Sequence, residues 1–305
     1  MPPRPGTTFL RRLRTPTAAS RTIRHVTINP SRSFSTPASH RQSQSSTNSS
    51  TFTTVSPEEV SHFNALASSW WDPQGPSRIL HLMNPLRHDF IRSCHSSTFD
   101  APLTPSTKLK YLDIGCGGGI FAESAARLPS TASVTAIDPS PEVLAIAKAH
   151  AKRDPVLKSK LTYLNTPIEN LPVPATPEEA YDVVSIFEVV EHVSNPAEFL
   201  DRCTPFVKPG GWLVLSTIAR TWMSWLTTNV VAEDILRMVP KGTHDWNKYI
   251  NEEEMRAHFL RNRTGWAEPR CMGVVYVPGV GWRQVNGSEK IGNYFFGVRK
   301  IAEST

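Results

Sequence analysis

The sequence predicts an α/β domain built on a mostly parallel, seven-stranded sheet with helices on both faces and an antiparallel edge. Two observations carry this expectation. Between about residues 108 and 217, short runs rich in β-branched and aromatic residues alternate with helical patterns. That alternation marks parallel strands joined by crossover helices. A glycine-rich string, GCGGG, lies between the first strand-like run and the first helical one, where such a sheet carries its ligand loops.

Residues 1–54 read as a mitochondrial transit peptide and leader. Through residue 57 the chain holds eight Arg, no Lys and no Asp or Glu, amid many Ser and Thr. This is an organelle-targeting composition without the continuous apolar stretch of a secretory signal, although a disordered basic tail shares it. Arg32-Ser33-Phe34-Ser35 resembles a matrix-protease site cut after Phe34. With the eight arginines set aside, the formal charge of +6 becomes −2 for the rest of the chain. The expected domain, 55–305, is mildly acidic, so no nucleic-acid partner is expected. The cysteines, Cys94, Cys116, Cys203 and Cys271, show no CxxC spacing and indicate neither a disulfide framework nor a zinc ribbon.

The string SPEE at 56–59 is a helix-start signal. Helices are expected over about 56–71 and 78–96. Strands follow at KLKYLDIG (108–115), ASVTAID (132–138), KLTYLN (160–165), YDVVSIF (181–187) and GWLVLST (211–217), with helices over 119–128, 140–153 and 195–204 between them. PRCMGVVYV (269–277) and GNYFFGVRK (292–300) are read as an antiparallel pair at the edge. The sequence has no internal repeat and no apolar run of the ~18 residues that a membrane-spanning helix needs.

YLDIGCGGGI, residues 111–120, places Gly115, Gly117 and Gly119 at the turn from strand to helix. Glycines there let the backbone turn tightly and let a ligand approach the amides at a helix start. The third glycine of a G-x-G-x-x-G dinucleotide fingerprint is missing, since Ile120 holds its position. Asp138 closes the second strand-like run, where a carboxylate can accept hydrogen bonds from ribose hydroxyls.

On these residues the sequence resembles the class I S-adenosylmethionine-dependent methyltransferases, whose first motif reads like LDIGCGGG and whose second strand ends on an acid. The resemblance implies a Rossmann-like fold. It also implies that Asp113 and the Gly115 to Gly119 loop, Gly117 included, hold the methionine end of S-adenosyl-L-methionine, with Asp138 on its ribose. YDVVSIFEVVEHV and KPGGWLVLST (208–217) add to the likeness. WWDPQGPSRILHLMNPLRHDFI (70–91), the EVVEHV loop and ILRMVPKGTHDWNKYI (235–250) narrow it. In matching order from about Phe63 to Val298, they resemble the ubiquinone-biosynthesis O-methyltransferases in their mitochondrial form. That family methylates catechol-type hydroxyls on polyprenylated rings, 3,4-dihydroxy-5-polyprenylbenzoate and demethylated ubiquinol. By the same resemblance Arg87 clamps the cofactor's carboxylate, a role that suits a bidentate guanidinium, and Phe187 contacts the cofactor. An exposed arginine on a helix face and a plain core aromatic are the alternatives for these two positions.

Glu188, Glu191 and His192 follow a strand-like run directly. If a helical turn begins at Glu188, positions i, i+3 and i+4 share one face and the three side chains can converge on a cation. A solvated first helical turn carries the same letters. The family resemblance implies Mg2+ on these three residues, and the donor set also suits Zn2+, Mn2+ or Fe2+. Such an ion would serve methyl transfer, because a phenol titrates near pH 10 and bound catechol oxygens lose their protons more easily. His192 is alternatively a general base, as in metal-free methyltransferases with an EH pair after strand four. Glu188, His192 and His244, the last in KGTHDW, are the catalytic candidates; a lone loop histidine such as His244 is also a common surface residue.

Residues 219–248 are expected to form an insertion facing membrane and substrate. Within it Trp222, Trp225, Leu226 and Val230 recur at helical spacing between Arg220 and the basic Arg237 and Lys241, a pattern for a helix in a bilayer interface or for a packed lid. A polyprenylated substrate resides in lipid, so peripheral attachment to the matrix side of the inner membrane is expected. Partnership with other ubiquinone-biosynthesis proteins is implied by the family resemblance. A non-catalytic methyltransferase-like scaffold and a methyltransferase for a soluble phenol are the competing readings.

Overall fold

The computed structural model describes residues 53–97, 104, 106–221, 224, 248–261 and 265–302. The expected leader, His244 and nearly all of the expected insertion lie outside these residues. The described chain begins with helix α1, Pro57–Leu66, which Ser56 caps by accepting a hydrogen bond from the Glu59 amide. Pro57 stands in the first turn, where its missing N–H costs nothing. The helix expected to run to 71 ends at Leu66; a 3-10 turn, Ala67–Ser69, follows. Helix α2, Arg78–Ser96, buries Met83, Arg87, Phe90, Ile91 and Cys94. That spacing is one helical face, and it carries Arg87 inward with the apolar residues.

The alternating part follows the expectation closely. Strand β1 is Leu109–Ile114, α3 Ile120–Arg127, β2 Thr131–Asp138, α4 Pro141–Ala151, α5 Pro155–Lys158, β3 Leu161–Asn165, β4 Tyr181–Phe187, α6 Pro196–Cys203 and β5 Val207–Ile218. Helix α7, Glu252–Arg261, then precedes β6 Arg270–Val277, β7 Gly281–Gln284 and β8 Asn293–Arg299. Ser140, Asp154 and Asn195 cap α4, α5 and α6 with side-chain oxygens.

The sheet runs in the order β3-β2-β1-β4-β5-β8-β6-β7. It has eight strands rather than seven. The additional one, β7, is only GWRQ and shows no periodic run; β6 draws it into the sheet through the turn at Gly279 and Gly281, both at positive φ. Strands β1 to β5 are mutually parallel, and β8 pairs antiparallel with both β5 and β6. Chain order steps one way from β1 to β3 and the other way from β4 to β5. Right-handed crossovers therefore put α3 and α4 on one face and α6 on the other. Val183, Val184 and Ile186 of β4 and Leu213, Val214 and Leu215 of β5 are inaccessible to solvent, as central strands covered on both faces require. The direction reverses between β1 and β4, so the loops at their carboxyl ends diverge and leave a crevice. Among the described residues no helix is long and apolar enough to cross a membrane.

Candidate active site

Of the eleven residues named for the site in the sequence, nine line one cleft at that crevice; Gly119 is not in its lining, and His244 lies outside the described residues. The floor is the loop after β1. Gly115 and Gly117 have φ of 67° and 53°, a region that L side chains avoid. Space forbids a side chain as well. A Cβ on Gly115 would stand 2.6 Å from Val189, and one on Gly117 would stand 2.4 Å from the Trp70 ring. The Asp138 carboxylate accepts from the Gly117 amide (2.9 Å) and from the Ser140 amide (2.9 Å). The acid thus binds the glycine loop to the start of α4. Burial raises its pKa, and these two amides offset part of the rise.

Asp113, next to the last residue of β1, is the direct register partner of Ser185 of β4, whose hydroxyl donates to it at 2.7 Å. Burial pushes the Asp113 carboxyl up to about 7, against the pull of Ser185 and of the Arg87 charge. Arg87 is buried, and its guanidinium carbon lies 4.9 Å from the centre of the Phe187 ring, a cation–π contact. Its Nε has no hydrogen-bond partner among the described residues. Burial lowers the arginine's pKa while Glu188 and Asp113 raise it. A buried guanidinium with an unused donor can receive a carboxylate. Phe187 packs edge-on against Phe121 and Phe295 as well, so one ring serves both the core and the cleft.

At the tip of β4 the structure corrects the expected local geometry. No helix starts at Glu188. This residue takes a left-handed φ of 58°, unique among the described non-glycine residues, and a 3-10 turn covers Val190–His192. Glu188 Oε1 accepts from the Ser216 hydroxyl (2.6 Å) and Glu191 Oε2 from the Thr217 hydroxyl (3.0 Å). Both partners belong to β5, the neighbouring strand. Burial raises the Glu191 pKa, and the Glu188 charge raises it further. Among the described residues no three His, Cys, Asp or Glu side chains are gathered as a metal set. The donor chemistry nevertheless fits a divalent ion: two carboxylates that oppose each other's charge and one imidazole border the same cleft.

His192 Nδ1 is 2.9 Å from Glu59 Oε2, and Glu59 Oε1 accepts from Lys248 Nζ at 2.6 Å. Burial alone would lower the His192 pKa; the hydrogen bond to Glu59 and the surrounding carboxylates raise it overall. The same contact holds the Glu59 carboxyl down at about 2. Glu59 and Lys248 carried no site signal in the sequence. Glu59 reads there as part of a helix start, and its partner is 133 positions away.

The first described residues, Thr54 to Trp70 among them, roof the cleft. Thr54 donates through its amide (2.6 Å) and its hydroxyl (2.5 Å) to Glu169, in the loop after β3, and accepts from the Ser194 amide. Trp70 covers Gly117 and Gly118, and Trp71 Nε1 donates to the Gly118 carbonyl at 2.9 Å.

Residues 112–215 match the family described as a methyltransferase domain. The chain is 40% identical over 287 residues to a ubiquinone biosynthesis O-methyltransferase, mitochondrial, of Candida albicans, covering 82% of this chain and 86% of that one. It is 46% identical over 230 residues to the protein of that name from Schizosaccharomyces pombe, covering 73% and 77%. The Arabidopsis thaliana protein of the same name is 40% identical over 241 residues, covering 78% and 72%. Among solved structures, the plantazolicin methyltransferase BpumL in complex with SAH superposes with a TM-score of 0.54 at 19% identity, covering 80% of this chain and 97% of that one. The magnesium protoporphyrin IX methyltransferase ChlM of Synechocystis PCC 6803 with bound SAM gives 0.51 at 13%, covering 82% and 100%. These two establish the shared fold.

Proposed function

The chain belongs to the ubiquinone biosynthesis O-methyltransferases, S-adenosylmethionine-dependent enzymes, and we propose that its cleft methylates a catechol-type hydroxyl on a polyprenylated ring. The substrates in this reading are 3,4-dihydroxy-5-polyprenylbenzoate and demethylated ubiquinol. One observation carries it: a buried, under-bonded Arg87 and the acid-tied glycine loop stand in the same cleft as His192 and two carboxylates. Arg87 would receive the cofactor's carboxylate, Asp113 and the Gly115 and Gly117 turn its methionine end, and Asp138 its ribose. Phe187 would pack beside it.

The remaining task is the phenol proton. Glu188, Glu191 and His192 would hold a divalent cation, Mg2+ with Mn2+ or Zn2+ as alternatives. When bound, such an ion lowers the pKa of catechol hydroxyls. A second reading draws on the His192 contact with Glu59, which leaves Nε2 as the nitrogen to take the proton directly. Mitochondrial relatives support the organelle. Attachment to the matrix side of the inner membrane through 219–248, a substrate contact by His244 and association with other ubiquinone-biosynthesis proteins complete the proposal.

The test is methyl transfer from labelled S-adenosylmethionine to a short-tailed 3,4-dihydroxybenzoate analogue, before and after chelation, with cofactor binding followed by calorimetry. Activity lost on chelation and restored by Mg2+ is the expected result. Activity that survives chelation but not His192→Gln selects the general-base reading. Tight cofactor binding with no transfer to the catechol overturns the proposal.

A further inference from the structure

We propose that Glu59 is a positioning residue for His192, fixing the imidazole so that Nε2 is the working nitrogen, and that Lys248 fixes Glu59 in turn. The inference deepens the reading of His192 as a site residue and rests on it.

Glu59 is the third residue of α1 after its Ser56 cap. In a capping box an acid there would reach back to the cap residue's own amide. Here it turns away, placing one carboxylate oxygen 2.9 Å from His192 Nδ1 and the other 2.6 Å from Lys248 Nζ. Phe63, four residues on and therefore on the same face of α1, meets the imidazole edge-on with ring centres 4.9 Å apart at 85°. One helix face thus holds the ring in two ways: Glu59 engages Nδ1 and Phe63 sets the plane. With Nδ1–H donating to a carboxylate, the neutral ring has its lone pair on Nε2, whether that nitrogen takes a proton or binds an ion.

The three partners come from distant parts of the chain. Glu59 belongs to the N-terminal roof, His192 to the turn after β4, and Lys248 to the stretch that follows residues 225–247. His192 is therefore correctly set only while α1 lies on the cleft. A plain structural ion pair would stabilise the fold without controlling which ring nitrogen carries the proton.

The experiment uses the full chain with 15N-labelled histidine, assigning the His192 ring signals by their loss in His192→Gln. At alkaline pH, where the ring is neutral, wild type should show a protonated Nδ1 and a free Nε2. Glu59→Ala should give mixed ring signals and lower kcat roughly 10- to 100-fold, the range of outer-partner losses. Its cofactor Kd should stay within about twofold. Glu59→Gln, which keeps an acceptor without the charge, should fall between, and Lys248→Met should weaken the effect through the other oxygen if Glu59→Ala does not fold. Unchanged ring signals and kcat in the Glu59 variants overturn the inference. Full activity in His192→Gln, with ring signals that still move in Glu59→Ala, overturns the parent reading of His192 while keeping the positioning contact.

Discussion

Glu188 shows how a single residue trades stability for placement. Its φ of 58° costs an L side chain about 1 kcal/mol or more relative to glycine, and the conformation turns its carboxylate to Ser216 at the mouth of the cleft. Truncation should therefore rank in an unusual order. Glu188→Gly should be more stable than Glu188→Ala by about 1 kcal/mol in denaturant titration, because both remove the carboxylate and only glycine relaxes the backbone. Equal stability, or alanine ahead, would show that the backbone there is unstrained. The conformation was not legible in the sequence, where Glu188 opens an apparent helical turn. Asp113 makes a second residue-scale argument, with the opposite sign from most carboxylates. Its native pKa near 7 lies above the unfolded value, so between about pH 4 and 7 the native state holds a proton that the unfolded chain has released. Stability of the cofactor-free protein should then fall as pH rises through that window and level off above it. Thermal unfolding against pH should show the decline, and Asp113→Asn should make it shallower, with Glu191 and Asp138, whose pKa values burial also raises, carrying the rest; an identical profile in the variant would remove Asp113 as a cause.

Elements were legible where local pattern and tertiary demand agree. The five parallel strands fall within a few residues of their expected bounds because β-branched runs, capping residues and crossover spacing all point the same way. Disagreement arose where a neighbour decides the outcome. β7 exists because β6 presents an edge to Gly281–Gln284, and α1 stops at Leu66 because the chain must turn there to lay Trp70 on Gly117 and Gly118. The packing of α2 on β8 is a third contact with no sequence signature, and it is testable. A Cβ on Gly297 would stand 2.9 Å from Cys94 Sγ and 3.2 Å from the Phe90 ring. Gly297→Ala should cost about 1–3 kcal/mol by overpacking, read as a lower midpoint in urea. Cofactor affinity at low temperature should stay close to wild type, since Gly297 is not among the residues that line the cleft. A neutral midpoint would mean that α2 can slide on the sheet.

At the scale of the molecule, the site is assembled by joining two parts with different kinds of support. The sheet is held by a dense apolar core, whereas α1 has no fully buried residue. The N-terminal roof is held by a small apolar cluster that joins Phe63, Ala67 and Trp70 to Ile120 and Val143, and by particular ties to the carboxyl-end loops of four parallel strands. Trp71 bonds the loop after β1, Asn64 accepts from Ser140 after β2, Thr54 bonds Glu169 after β3, and Glu59 bonds His192 after β4. An element such as α1, with no buried residue of its own and partly exposed polar ties, belongs to the low-stability end of a fold and opens locally before the core does. Phe63, Leu66 and Trp70 of the roof also line the cleft, so a cofactor seated between roof and floor adds contacts that exist only in the closed arrangement. By mass action a ligand at about 100 times its Kd contributes about 2.7 kcal/mol to whatever state binds it, enough to lower the population of the open roof roughly 100-fold if the open form does not bind. Amides of α1 should therefore exchange with solvent at least tenfold more slowly when S-adenosylhomocysteine is saturating, while those of β4 and β5, already protected by the core, change little. Equal exchange in α1 with and without ligand would mean that the cofactor enters beneath a roof that stays shut.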